Sequence, residues 1–293
     1  MQAQSSEHPP RALVRAVETR LDGLAGAKWR PLSGGRTNFA WRLDPAGGRA
    51  PLVVKLYRGP ARNPLFPNDP RAEALLLRRL GPSGLTPRLV SELRTEPGIC
   101  NIYTHIPGSP WTTGAGIAGA LVRSLHRIAP PSRLRRVPDG SAALEAQTRR
   151  ILADCRQPDH LSALVPGRAV AACDAAVLLH GDIVPGNLIG NATGLHLIDW
   201  QCPARGDPCE DIAMFLSPAM QSVYRGQPLT EAEIGDFFAA YGAPEVAGRY
   251  ARLAPWYHWR MAAYCQWQSE NGRPDYGPAR DLEVAALQRS LSA

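Results

Sequence analysis

Leu178-Leu179 leads into His180-Gly181-Asp182-Ile183-Val184-Pro185-Gly186-Asn187. An apolar run there delivers a histidine, an aspartate and an asparagine into a turn marked by Pro185 and Gly186. Asp182 and Asn187 are five residues apart, and twelve residues after Asn187 a second aspartate, Asp199, closes the apolar stretch Leu195–Asp199. Phosphoryl transfer needs such a set. One carboxylate accepts the proton of the attacking hydroxyl, while an amide oxygen and a second carboxylate hold Mg²⁺ against the β- and γ-phosphates. Mg²⁺ takes hard oxygen ligands and needs few of them from the protein. Taken singly, each residue has an ordinary structural use: Asp182 as a turn cap, Asn187 in a left-handed turn, Asp199 at a strand end. His180 reads as a hydrogen-bonding brace of the loop, because Asp182 already fills the role of base.

Lys55 is the second candidate. It and Lys28 are the two lysines of a chain whose other positive side chains are all arginine. It sits inside the apolar segment Leu52–Tyr57. A lysine there is either a strand residue with a solvated tip or a buried point charge suited to phosphate. Glu73 lies in the first turns of the next helical segment, where an acid is also favoured by the helix N-terminus.

These residues need elements to position them. Residues 11–24 carry Leu13, Val14, Val17 and Leu21 at helical spacing. Residues 31–42 read as strand, turn, strand, and residues 52–57 as a third strand. A helix is expected over 68–80, with Pro70 in its first turn and Gly81 at its end. Residues 87–106 read as two more strands joined near Pro97-Gly98. After Pro107-Gly108 the texture becomes helical, with helices expected over 115–128, 141–153 and 168–176. Short strands follow at 188–189 and 195–198, then mostly helix from Asp207 onward. The boundary is placed near residues 106–112. It divides a mainly antiparallel N-terminal region, 1–106, from a mostly helical C-terminal region, 107–293.

With these motifs the chain resembles the aminoglycoside phosphotransferase and choline kinase superfamily, relatives of the protein kinases. The catalytic loop of that superfamily reads HGD, four residues, then N, and its metal aspartate ends an I-D-W or I-D-F strand. The resemblance implies an α+β, protein-kinase-like two-lobed fold, with ATP and Mg²⁺ in the cleft. It makes Asp182 the catalytic base, Asn187 and Asp199 the Mg²⁺ ligands, and Lys55, held by Glu73, the ATP lysine. Ser33-Gly34-Gly35-Arg36-Thr37-Asn38 is similar to the S-G-G-x-T-N stretch of choline- and thiamine-kinase-like members, and Ser33, Gly34, Gly35 and Asn38 would cover the phosphates. Tyr103 to Ile106, including His105, would pass the adenine. Asp207 and Asp211 match the G-D-P and D-L-A pattern and are read as braces of the active-site loops.

The acceptor is less constrained. Trp256, Trp259, Ala263 and Trp267 share one helical face, which suits core packing or an aromatic wall for a cation. Aligned with choline kinases, Trp259 and Tyr276 would border the acceptor. Two departures stand out: Ala262 occupies a second aromatic position, and Gln201 follows I-D-W where a glutamate is usual. Gln201 is placed at the acceptor with them. Choline or a related amino alcohol leads, with thiamine, an aminoglycoside or another sugar-like alcohol as alternatives, and a non-catalytic pseudokinase as a further one. The HGD loop and the missing D-F-G and A-P-E segments argue against a protein kinase.

Composition excludes other classes. Hydrophobic residues at 44% and charged residues at 20% describe foldable globular material. The net charge of +7 is spread over scattered arginines without a recognition-module signature, so no nucleic-acid partner is expected. No apolar run approaches about 18 residues, so no membrane span is expected. The polar start, Met1–Pro10, lacks a signal-peptide pattern, and a cytoplasmic location is expected. Six cysteines without a CxxC pair suit reduced thiols rather than a disulfide framework or a zinc site.

Overall fold

Alternating apolar segments early in the chain pair into a sheet, and helical ones later pack on each other, giving two units in the computed structural model. It describes residues 8–32, 37–59, 63–173 and 176–292. The first unit comprises Met1–Ser109 with Ile189–Cys202, and the second Pro110–Leu188 with Pro203–Ala293. The chain therefore passes between them three times, and the segment bearing Asp199 belongs to the first.

In the first unit, helix α1 (Arg11–Arg20) precedes strands β1 (Lys28–Pro31), β2 (Phe39–Asp44) and β3 (Leu52–Leu56). Helix α2 (Pro70–Leu80) follows, then β4 (Leu89–Thr95) and β5 (Gly98–Thr104). The five strands form one antiparallel sheet in the order β1-β2-β3-β5-β4. Strand side chains alternate between faces. Trp41, Leu43, Val54, Leu56, Cys100 and Ile102 thus meet Leu13 and Val17 of α1 in one core. Lys55, between Val54 and Leu56, belongs to the other face, in register with Ala40 and Asn101. Asp69 caps α2 by accepting from the backbone N–H groups of Arg71 and Ala72, and Pro70 occupies the first turn. Glu73 shares the buried stripe of this helix with Leu76, Leu77 and Leu80. Helical periodicity therefore places an acid on an otherwise apolar face.

Along the chain come the short strand β6 (Ser109–Pro110), helices α3 (Ala115–His126), α4 (Gly140–Ala153) and α5 (Asp159–Ser162), and β7 (Val177–Leu179). Strands β8 (Leu188–Asn191) and β9 (Gly194–Leu197) pair with each other. In the second unit β10 (Ala204–Gly206) runs antiparallel to β7, with Ala204 opposite Leu179. Helices α6 (Cys209–Leu216), α7 (Pro218–Arg225), α8 (Glu231–Tyr241), α9 (Pro244–Glu270) and α10 (Tyr276–Ser292) complete it. The long α9 packs against α4 and α10, with Leu144, Ile151, Leu253, Trp256, Trp259 and Leu287 in one core. Gly119 lets α3 approach α8 closely, since a Cβ there would stand 2.3 Å from the Phe237 carbonyl oxygen.

The helix expected over 168–176 is a correction: the described residues of this stretch are irregular. Partners distant in sequence hold its backbone instead of its own i−4 carbonyls. Val170 exchanges hydrogen bonds with the backbone and side chain of Ser141, and the Cys173 N–H donates to Asp139. The Arg168 carbonyl accepts from Trp256, and that of Ala171 accepts from Arg249. Among the described residues no helix is long and apolar enough to cross a membrane, and no disulfide joins any of the six cysteines.

Candidate active site

Two groups of candidate residues are assembled, one in each unit. In the first, β3 carries Lys55 into contact with two carboxylates. Its Nζ donates to Glu73 Oε2 at 2.7 Å and to Asp199 Oδ1. Tyr57, two residues on and just past the end of β3, donates its hydroxyl to Glu73 Oε2 as well. Asn101 on the adjoining strand donates to the Tyr57 hydroxyl at 3.0 Å and to the Pro70 carbonyl at 2.9 Å. The first turn of α2 is thereby tied to the sheet.

Lys55, Tyr57, Glu73 and Asn101 are all buried. Burial by itself lowers the Lys55 pKa, but Asp199 and Glu73 outweigh it and raise the value, so the ammonium keeps its proton. Burial pushes the Glu73 carboxyl up against the opposing pull of Lys55. Burial and the same carboxylate push the Tyr57 hydroxyl up, which keeps it a donor. Asp199 has φ of 62°, the left-handed region that aspartate tolerates better than most residues at a cost of about 1–2 kcal/mol. It is the non-glycine residue with positive φ among those described.

The nucleotide-side candidates divide. Ser33, Gly34 and Gly35 lie outside the described residues. Asn38 is buried, and its amide meets Asn68 and Gln201. Gln201, expected beside the acceptor, is thus brought together with Asn38. Tyr103 is still in the sheet, opposite Val53. The His105 backbone N–H is committed to the Pro51 carbonyl and that of Thr104 to the Arg88 carbonyl, both at 3.0 Å. Partial burial, with Arg42 nearby, lowers the His105 pKa and favours the neutral ring.

In the second unit β7 ends at Leu179 and delivers His180, Gly181 and Asp182. Gly181 has φ of 81°, which a glycine adopts without strain. The Asp182 N–H donates to His180 Nδ1 at 3.3 Å. A short 3₁₀ turn, Pro185–Asn187, brings Asn187 back, and its Nδ2 donates to the Asp182 carbonyl at 2.9 Å and to Asp182 Oδ2 at 3.1 Å. The five-residue spacing therefore closes a loop with the two side chains in contact.

Asp211, buried in α6, holds this loop from behind. Its Oδ2 accepts from the His180 N–H at 2.9 Å and its Oδ1 from the Gly181 N–H at 2.8 Å. His126 Nε2 meets Asp211 Oδ2 at 3.2 Å, and His126 Nδ1 meets the Tyr241 hydroxyl at 2.9 Å. Asp207 accepts from the Cys209 N–H and from Arg249, which also binds Asp139.

The residues expected at the acceptor, Trp259 and Tyr276, are buried. Trp259 is fully buried in the helical core, its indole N–H donating to the Leu161 carbonyl at 2.7 Å. Tyr276 is buried too, its ring edge-on to Tyr264 at 6.1 Å. The Trp256–Trp259–Ala263 face packs the core in this structure.

Taken each in its own unit, the two expected metal ligands have a chemistry that suits Mg²⁺. Asn187 engages its amide nitrogen with Asp182, which leaves the oxygen for a metal, and Asp199 engages one carboxylate oxygen with Lys55. Both offer the hard oxygen that Mg²⁺ prefers.

Residues 28–256 match the phosphotransferase enzyme family. The chain belongs to that family. The phosphotransferase shares its α+β, protein-kinase-like fold with solved kinases of low sequence identity. A choline/ethanolamine kinase family protein from Mesorhizobium loti superposes with a TM-score of 0.66 at 17% identity, covering 95% of this chain and 93% of that one. A choline kinase from Cryptosporidium parvum Iowa II gives 0.68 at 13% identity, covering 96% and 94%. A spectinomycin phosphotransferase, in complex with ADP and spectinomycin, gives 0.59 at 17% identity, covering 96% and 100%. No curated protein matches the sequence.

Sequence reasoning missed several partners within the phosphotransferase. His126 and Tyr241 stand behind Asp211, Tyr57 and Asn101 stand around Glu73, and Asn68 meets Asn38. Tyr57 was within reach, since a strand period of two aligns it with Lys55. The others come from separate elements and carry no local signal.

Proposed function

We propose that the phosphotransferase moves the γ-phosphoryl group of ATP to the hydroxyl of a small molecule. The observation that carries this reading is Lys55, a buried ammonium clasped by Glu73 and Asp199. A fixed positive charge of that kind suits phosphate oxygens. Asp182, kept beside Asn187, accepts the proton of the acceptor hydroxyl as that oxygen forms its bond to phosphorus and the bond to the β-phosphate oxygen breaks. ADP leaves. Asn187 and Asp199 are the residues that would hold Mg²⁺, which supplies charge neutralisation on the phosphates. The catalysis assigned to the chain is positioning and electrostatics.

For the acceptor we propose choline or a related amino alcohol, supported by the choline/ethanolamine kinase neighbours. The burial of Trp259 and Tyr276 favours a second reading, an aminoglycoside or another sugar-like alcohol, because such an acceptor needs no aromatic wall. An ATP-depletion screen over choline, ethanolamine, thiamine, aminoglycosides and small sugars separates these. Asp182→Asn should lower turnover of the active acceptor by about 10²–10⁴-fold with an unchanged melting temperature. Turnover within a few-fold of wild type would remove Asp182 from the chemistry. Tight nucleotide binding with no acceptor consumed would instead support a pseudokinase.

A further inference from the structure

Three side-chain amides meet in the first unit from distant stretches of chain. Asn38 Nδ2 donates to Asn68 Oδ1 and to Gln201 Oε1, both at 2.9 Å. Asn38 Oδ1 accepts from Asn68 Nδ2 at 2.9 Å and from the Arg58 backbone N–H at 3.3 Å. An amide has two donor hydrogens and an oxygen with two lone pairs, and at Asn38 the protein engages all of them. Nothing is left on that side chain for a phosphate. Asn68 reaches on to the Gly59 carbonyl at 3.1 Å, and the Gln201 carbonyl accepts from the Asp69 N–H at 2.8 Å.

Such a network has a plain reading as satisfied buried polarity. Its location says more. Gln201 stands two residues after Asp199. Asp69 is the cap of α2, and its carbonyl accepts from the Glu73 N–H at 3.1 Å, one helical turn on. The cluster therefore ties together the roots of the two carboxylates that clasp Lys55. Those roots are far apart in sequence: the Asn38–Gln201 bond spans 163 residues and the Lys55–Asp199 bond 144.

We infer that Asn38, Asn68 and Gln201 form a positioning cluster that locks the turn bearing Asp199 to the start of α2, so that Asp199 and Glu73 meet Lys55 in a single geometry. Gln201 is then a positioning residue for the nucleotide rather than a selector of the acceptor's charge. The inference rests on the nucleotide reading of Lys55 given above.

The test uses the full chain and two readouts that need neither acceptor nor turnover. One is equilibrium binding of Mg·ADP. The other is amide hydrogen exchange in the ligand-free protein over 69–76 and 196–202. Gln201→Met keeps length and removes the oxygen that Asn38 donates to. It should weaken Mg·ADP binding about tenfold, equivalent to about 1.4 kcal/mol, and speed exchange in both segments together. Gln201→Glu keeps an acceptor oxygen and should stay within about threefold of wild type. Asn38→Asp sets a carboxylate oxygen against the acceptors of Asn68 and Gln201, and should weaken binding more than Gln201→Met. Asn68→Ala, at the partly exposed edge, gives the same direction with a smaller loss, and serves if a buried variant does not fold. With an acceptor in hand, its KM should stay constant across the series while that of Mg·ATP rises. Wild-type binding and exchange in Gln201→Met and Asn68→Ala would overturn the inference. So would a change confined to the acceptor KM, largest in Gln201→Glu with a cationic acceptor. If wild-type protein binds no Mg·ADP, the nucleotide reading itself fails, whereas coupled exchange of the two segments still decides whether the cluster locks them.

Discussion

Around Lys55 an ammonium is packed between two carboxylates, and each contact joins opposite charges. Around Asp182 the bracing carboxylate of Asp211 meets two backbone N–H groups and an imidazole. The first arrangement fixes side chains and leaves the backbone to other devices. The second fixes the backbone of the loop directly. Side-chain ion pairs can exchange partners when phosphate oxygens arrive. A loop whose own N–H groups are claimed has no such freedom. Under the proposed function, the first group would have to yield to a ligand and the second to keep a base in place.

Removing one member of each group should expose that difference. The largest effect is expected for Asp211→Ala, which leaves the buried His180 N–H and its neighbours without their acceptor. Loss of a carboxylate holding several buried donors should lower unfolding stability by about 3–5 kcal/mol, read from denaturant midpoints, and abolish turnover with it. Glu73→Ala should cost less, about 1.5–3 kcal/mol, because Lys55 retains Asp199. Its signature is weaker Mg·ADP binding, with the Asp182 loop keeping wild-type amide protection. Equal losses of protection in both regions would erase the distinction.

An ion pair outside both groups gives the smallest effect and a reference. Glu233 binds Arg225 and closes a capping box with Thr230 at the start of α8. The hydrogen bond from Arg225, and then the one from the Thr230 backbone, hold the Glu233 carboxyl down at about 2 against an ordinary 4.5. A depressed folded-state value stabilises above the ordinary one and loses that contribution as pH falls through the folded one. The melting-temperature gap between wild type and Glu233→Gln should be full above about pH 5 and shrink toward pH 2. A gap independent of pH would remove the ion pair as its source.

The geometry of the candidate site was legible in the sequence where it is local. Asp182 and Asn187 meet across five residues, and their spacing alone places them in one turn. The helix bearing Glu73 was readable from Pro70 in its first turn and Gly81 at its end. What escaped is long-range pairing. His126 meets Asp211 across 85 residues, and Asn101 meets Tyr57 across 44. Gln201 is set at the acceptor only by resemblance, as the residue after I-D-W where choline kinases usually have a glutamate, and its side chain answers to Asn38. Residues 168–176 have helix-forming composition, but tertiary partners claim the backbone of Arg168, Val170, Ala171 and Cys173. The tryptophan face of α9 was visible as a stripe, and periodicity does not distinguish a stripe that packs from one that binds.

The inclusion of Ile189–Cys202 in the first unit has a consequence for biosynthesis. Five strands and α2 leave the ribosome early and can pair, but Glu73 and Lys55 must wait for a partner 144 residues downstream of the lysine. At about 5–20 residues per second that wait is on the order of 10 s. Through it, the nascent sheet carries an ammonium and a carboxylate with one claimant missing. The newborn chain thus holds these buried charges unfinished until the first segment of the second unit, Pro110–Leu188, has been made.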